Sequence, residues 1–301
     1  MPKPTWNLRA YLELLRLPNV FTAVADVLMG GWLAAAAAGT TLSPGLAALL
    51  VGSSSCLYLA GMVWNDYFDR QRDLRQRPQR VSPAAAWWLA SELMIVGVAC
   101  ALTASTFLGW RPGLVAVALA AAVLAYDGWL KNTWLGPLNM GLCRALNVGL
   151  GMSVVAGPWG AVHYVVAAAL GLYITGVTAF ARQEATTSRP AHLLASLLVM
   201  VAAMATLAWS VHLLPAHRLA GQTQVWTLFW IVLGGQIAWR CLQAVAHPQP
   251  VLVQRAVKNC LFALIIFDAA LTMAVQGWPP AVGILLLLLP AHLLGRWIYS
   301  T

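Results

Sequence analysis

The chain has 301 residues, 60% of them hydrophobic and 9% charged, with a formal net charge of +9 and a mean hydropathy of +0.73. Soluble domains carry about 25% charged residues, so a set of water-soluble domains is excluded. The basic excess is spread along helix ends around acidic groups, which argues against nucleic acid as a partner and for an anionic headgroup or diphosphate.

Apolar stretches of about 20 residues, the length that crosses a bilayer as a helix, recur along the chain. They fall at about 18–38, 44–66, 84–108, 112–130, 136–156, 160–181, 191–214, 223–245, 253–276 and 279–298. Backbone groups in lipid must be satisfied within the protein, so these stretches read as helices. The short alternating segments of an outer-membrane barrel are missing. The expected fold class is all-α: a polytopic membrane helix bundle, one integral membrane domain over 1–301.

Met1 to Arg16 is polar and mixed, and the apolar run that follows is too long for a signal-peptide core, so no cleavable signal is expected. Arg16 and Asn19 stand where the first span starts, and Asp26 lies deep inside it. Span 2 should continue past the lipid as Asn65-Asp66-Tyr67-Phe68-Asp69-Arg70-Gln71-Arg72-Asp73. Only nine residues in the chain are acidic, yet Asp66, Asp69 and Asp73 lie together here, with five arginines between Arg70 and Arg80. At about 100° per residue, Asn65, Asp66, Asp69 and Asp73 fall on one arc about 100° wide. Hard oxygen ligands so arranged suit Mg²⁺, which binds through one or two carboxylates plus substrate phosphates. Neighbouring arginines would neutralise the remaining phosphate charge.

Span 3 contains Glu92 and closes on Gly109-Trp110-Arg111-Pro112, a tight turn with an interfacial tryptophan. Between spans 4 and 5 comes Tyr126-Asp127-Gly128-Trp129-Leu130-Lys131, with Arg144 beyond it. Gly157-Pro158-Trp159-Gly160 and Gly277-Trp278-Pro279-Pro280 are further tight turns, and span 6 ends at Arg182 and Glu184. Asp26 and Asp268, in spans 1 and 9, read either as functional intramembrane carboxyls or as interhelical contacts. The five cysteines have no metal-ligand spacing and the histidines are scattered. With a cytoplasmic N-terminus, sixteen of the eighteen Lys and Arg fall on the cytoplasmic side and two opposite, a strong positive-inside bias. The expected location is the inner (cytoplasmic) membrane, with the acidic cluster on the cytoplasmic side.

Asn65-Asp66-x-x-Asp69-x-x-x-Asp73 after a second span resembles the first aspartate-rich motif of the UbiA superfamily of intramembrane prenyltransferases. The likeness extends over most of the chain. Arg16-Leu17-Pro18-Asn19-Val20-Phe21-Thr22, Asp26-Val27-Leu28, Tyr126-Asp127-x-Trp129-Leu130-Lys131 and Gly141-Leu142-Cys143-Arg144-x-Leu146-Asn147 are most similar to the UbiA-like EboC subgroup. The resemblance implies a UbiA-like bundle of nine to ten transmembrane helices. It implies an isoprenyl diphosphate donor held by Mg²⁺ on two acidic motifs, and an acceptor the sequence does not identify.

Carried over residue by residue, Asn65, Asp66, Asp69, Asp73 and Glu184 would be metal ligands. Asp66, Asp69, Lys131 and Glu184 would be catalytic, and Arg72, Arg144, Arg182, Asn19 and Arg16 would bind diphosphate. The chain departs from the pattern at the second motif, where Val177 and Ser188 replace acids and Glu184 remains, so the second cation site is weakened. Tyr126 and Lys131 are also five residues apart rather than four. The implied reaction is Mg²⁺-dependent prenyl transfer with release of pyrophosphate. From another class, a non-catalytic isoprenoid-diphosphate binder or lipid-linked metabolite carrier fits the eroded motif. A transporter lacks the expected inverted repeat, and a membrane hydrolase lacks its catalytic constellation.

Overall fold

The computed structural model describes residues 8–73, 81–182, 190–214 and 222–297, without the side chains of 8–9, 71–73 and 296–297. Among these residues all regular structure is helical: α1 (Leu8–Leu15), α2 (Val20–Ala37), α3 (Pro44–Asp73), α4 (Pro83–Leu108), α5 (Arg111–Gly128), α6 (Gly136–Met152), α7 (Ala161–Ala181), α8 (Pro190–Ser210), α9 (Thr223–Ala246), α10 (Pro250–Gln276), α11 (Trp278–Leu285) and α12 (Leu288–Trp297). Nine described segments are long and apolar enough to cross a membrane. The tenth expected span is α6, which has 17 residues and a length of roughly 25 Å. The first span bends at the 3₁₀ turn Leu17–Asn19, where Pro18 and a left-handed Arg16 (φ 44°) interrupt the helix. The last span is split between α11 and α12.

Each side chain chooses between lipid and interior. Ile95, Phe107, Ile231 and Val232 stay exposed on outer helix faces, as lipid permits. Thr22, Asp26, Ser53, Ser54, Asn147, Asp268 and Thr272 are buried, because polar groups are least costly where other helices can pair with them. Glu92 is exposed on α4 and takes no part in that interior.

The helix that brings this interior together is α6, packed against α2, α5 and α7. Its approach to α2 depends on small residues. A Cβ on Gly151 would stand 2.6 Å from Val27 Cα, and one on Gly30 would stand 2.6 Å from the Val148 carbonyl oxygen. With no hydrophobic drive between helices in lipid, such close backbone contact is what holds a bundle together. It also fixes which α6 residues face α2.

Candidate functional site

The acidic cluster sits on a single uninterrupted helix, since α3 runs from Pro44 to Asp73. Asn65 and Asp69, one turn apart, pair with the end of α5 and with the 3₁₀ turn Leu130–Asn132 that follows it. The Asn65 amide donates to Asp127 Oδ1 at 2.9 Å, and the Lys131 ammonium lies 2.7 Å from Asp69 Oδ1. Arg182, at the end of α7, donates to the carbonyls of Lys131 and Thr133. The α5–α6 connection is thereby tied to α7, and Lys131 is held in place.

The Asn65–Asp127 pair lines one end of a cavity of about 410 Å³ inside the bundle. Arg16, Asn65, Tyr126 and Asp127 line its mouth, and Asn19 and Tyr58 line the wall below, with the Tyr58 hydroxyl bonded to the Asn19 side chain. Leu57, Met62, Leu119 and Val123 form one apolar wall, and Ile174, Val177, Val257 and Leu261 form another. An apolar recess of about 520 Å³ between α9 and α10 shares no lining residue with it.

The deep end is polar. Arg144, on α6, is ion-paired with Asp26 on α2 and donates to the Thr22 carbonyl and hydroxyl at 3.2 Å each. The Asn147 amide donates to Asp26 Oδ2 at 2.9 Å and to the Ala23 carbonyl at 3.0 Å. Its oxygen accepts from Ser54 at 2.5 Å. The Asp268 carboxyl, from α10, lies against that of Asp26. Arg144, Asn147 and Ser54 all line the cavity.

Of the expected site residues, Arg16, Asn19 and Asn65 line the cavity, and the Asp69–Lys131 pair lies one helical turn beyond Asn65. Asp66 is half-buried on the same stretch of α3. Arg144, expected on the diphosphate, lines the same cavity further in. Its charge is already matched by Asp26 and it lies deep in the bundle, because the close α2–α6 crossing brings Thr22 and Asp26 onto its face. Arg182 spends one terminal nitrogen on the two carbonyls and is otherwise exposed. The Arg72 and Asp73 side chains and all of Glu184 lie outside the described residues. The residue overlooked as a ligand-facing group is Asp127. The signal for it in the sequence is an acid among only nine, placed just before a helix-ending glycine.

The donor set fits Mg²⁺ in one particular way. Among the described residues no three His, Cys, Asp or Glu side chains are close enough to hold a metal by themselves. Asp69 does already bear a cationic group, the Lys131 ammonium, so the position favours positive charge. Asp66, Asp69 and the Asn65 amide oxygen offer hard ligands, and phosphate and water oxygens would have to complete the shell, which is how Mg²⁺ ordinarily binds.

Fold and site together define a polytopic helical membrane protein with an aspartate-rich helix end beside an internal cavity. The chain belongs to the UbiA prenyltransferase family, whose profile matches residues 26–264. It is 35% identical over 138 residues to a digeranylgeranylglyceryl phosphate synthase from Hyperthermus butylicus, covering 42% of this chain and 44% of that protein. With the synthase of the same name from Methanopyrus kandleri it shares 33% identity over 135 residues, 42% of this chain and 45% of the other. The matched stretch thus spans under half the length of these relatives. In three dimensions it is similar to a digeranylgeranylglyceryl phosphate synthase structure (TM-score 0.64, 17% identity, 89% of this chain and 98% of the other). It is also similar to a UbiA homolog from Archaeoglobus fulgidus solved with DMAPP and Mg²⁺ (TM-score 0.61, 14% identity, 85% and 99%). The all-helical, multi-pass membrane fold is that of the family.

Proposed function

We propose that this protein transfers a prenyl group from an isoprenyl diphosphate to an acceptor within the membrane and releases pyrophosphate. The observation that carries the reading is the Asn65–Asp69 arc at the mouth of an intramembrane cavity, with Lys131 on Asp69. The relatives bound to Mg²⁺ and DMAPP or GPP support the same donor chemistry here. The 1–301 chain is read as one domain, with its mouth on the cytoplasmic side, and within the family as EboC-like.

Asn65, Asp66 and Asp69, with Asp73 and Glu184, would hold Mg²⁺, which when bound neutralises the diphosphate and makes it a better leaving group. Lys131 and Arg16 stabilise the charge that builds on the departing pyrophosphate. Lys131 is pre-oriented by Asp69 and by the Arg182 clamp on its own carbonyl. Arg16 lines the mouth from a left-handed backbone position at the bend of the first span. As the allylic C1–O bond breaks, C1 gains carbocation character, and the apolar walls keep water away from it. Asp127 fixes the Asn65 amide, and Glu184 is proposed to ligate the metal or take the acceptor proton.

The test is pyrophosphate release from geranylgeranyl diphosphate by purified protein in nanodiscs, with source-cell extract supplying the acceptor. Release should need Mg²⁺, extract and Asp66. A fully active Asp66→Ala protein would overturn the site. A second reading, a diphosphate binder without turnover, draws on one observation: α7 contributes Val177, Thr178 and Ala181 to the cavity, with no carboxylate among the described residues. It calls for Mg²⁺-dependent donor binding without release.

A further inference from the structure

A cavity that had only to house a prenyl tail would be apolar to its end, but this one is not. Ser54 lies eleven residues before Asn65 on α3, roughly 16 Å deeper along the helix axis. At that depth Ser54, Arg144 and Asn147 line the wall. A hydrocarbon tail lying over them would leave polar groups facing it without partners. The apolar walls above give the tail another course.

Two features of this floor define what it can take. The first is charge. The Arg144 guanidinium is compensated by Asp26, and a second carboxyl, Asp268, lies against that pair. The floor therefore carries no net positive charge to attract an anion. The mouth, lined by Arg16, is where a diphosphate is drawn. The second is hydrogen-bonding polarity. Arg144 uses part of its N–H fork on Thr22 and Asp26 and has donors left over. Beside it, Ser54 Oγ and Asn147 Oδ1 keep free lone pairs after their mutual bond. Donors and acceptors side by side complement a hydroxyl, which is both. A phosphate or carboxylate offers acceptors only and would face the Asn147 and Ser54 oxygens.

We infer that the deep end of the cavity, built on Arg144, Asn147 and Ser54, binds the uncharged, hydroxyl-bearing head of the prenyl acceptor. The inference rests on the transferase reading above. An acceptor anchored here by its head reaches back towards the mouth, where a second hydroxyl at its other end attacks C1 of the donor. The new C–O bond forms as the bond from C1 to the diphosphate oxygen breaks. The bonding electrons leave with pyrophosphate, and the hydroxyl proton passes to a pyrophosphate oxygen. The product is a neutral prenyl ether.

The experiment splits source-cell extract on an anion exchanger into neutral and acidic fractions. Each is offered to the protein in nanodiscs with geranylgeranyl diphosphate and Mg²⁺, and pyrophosphate release is measured. The neutral fraction should sustain release and the acidic fraction should not. Asn147→Leu should raise the apparent KM for the neutral fraction at least tenfold with the Kd for geranylgeranyl diphosphate unchanged, which also shows that the variant is folded. Ser54→Ala, a milder change, should move the same KM in the same direction. Release confined to the acidic fraction, or both variants with wild-type KM, overturns the neutral subsite and leaves the transferase reading standing. No release from either fraction refutes the transferase reading itself, and the subsite falls with it.

Discussion

Arg144→Met is the sharpest probe of the buried network, because two accounts of Arg144 give different magnitudes. Met keeps most of the side-chain volume and removes the charge. If Arg144 only fills space between α2 and α6, the change is close to a volume-conserving swap and costs less than about 1.5 kcal/mol. A single interhelical hydrogen bond in a membrane protein adds only about 0.6 kcal/mol. The structure calls for more. Asp26 is 0% exposed and its Oδ2 is shared between Arg144 and Asn147, with a second carboxyl alongside. Removing one member of a buried ion pair typically costs about 3–5 kcal/mol, because the other is left uncompensated. Removing both charges avoids that penalty, so Asp26→Asn combined with Arg144→Met should be more stable than Arg144→Met alone. The assay is reversible unfolding by SDS in mixed micelles, followed by far-UV circular dichroism. A loss below about 1.5 kcal/mol in the single variant, or no recovery in the double, would refute the ion-pair account.

Three further perturbations test separate parts of the molecule. Lys131→Ala should lower kcat for pyrophosphate release by about 10²–10³-fold, the usual effect of losing one preorganised stabiliser of developing charge; a kcat within threefold of wild type would remove Lys131 from the mechanism. Asn65→Leu takes the donor from Asp127 Oδ1, a bond of 2.9 Å, and should cost about 1–3 kcal/mol in the same unfolding assay. It should also weaken Mn²⁺ binding measured by electron paramagnetic resonance in the presence of geranyl diphosphate, and unchanged Mn²⁺ affinity would exclude Asn65 as a ligand. Gly151→Leu drives a side chain into the α2 backbone at Val27. The expected overpacking penalty is about 1–3 kcal/mol or more, read by SDS unfolding, and wild-type stability would show that the two helices do not cross there.

Much of the site was legible before folding was considered. The continuation of α3 to Asp73 and the common arc of Asn65, Asp66 and Asp69 follow from the helical period. The turn at Gly277 follows from a residue able to adopt φ 90° next to two prolines. The convergence of Lys131 on the acidic arc follows from the alternation of spans, which puts both at the same end of the bundle. The same reasoning places Arg144 near that end, whereas the structure pairs it with Asp26 inside the bundle. Sidedness orders residues by end of the bundle, but it does not resolve depth within a helix or rotation about its axis.

The sequence by itself determined that the chain holds about ten apolar stretches of membrane-crossing length and that three of its nine acids gather at one helix end. These are properties of composition and local period, carried by each segment alone. Only the tertiary structure decided what each interior polar group faces. Arg144 meets Asp26, Asn147 meets Ser54 and Asp127 meets Asn65 because glycines let α2 and α6 close to backbone contact and thereby set their rotation and stagger. No segment encodes that relation by itself: it arises when helices that lack a hydrophobic drive to associate in lipid settle where their backbones and buried polar groups fit.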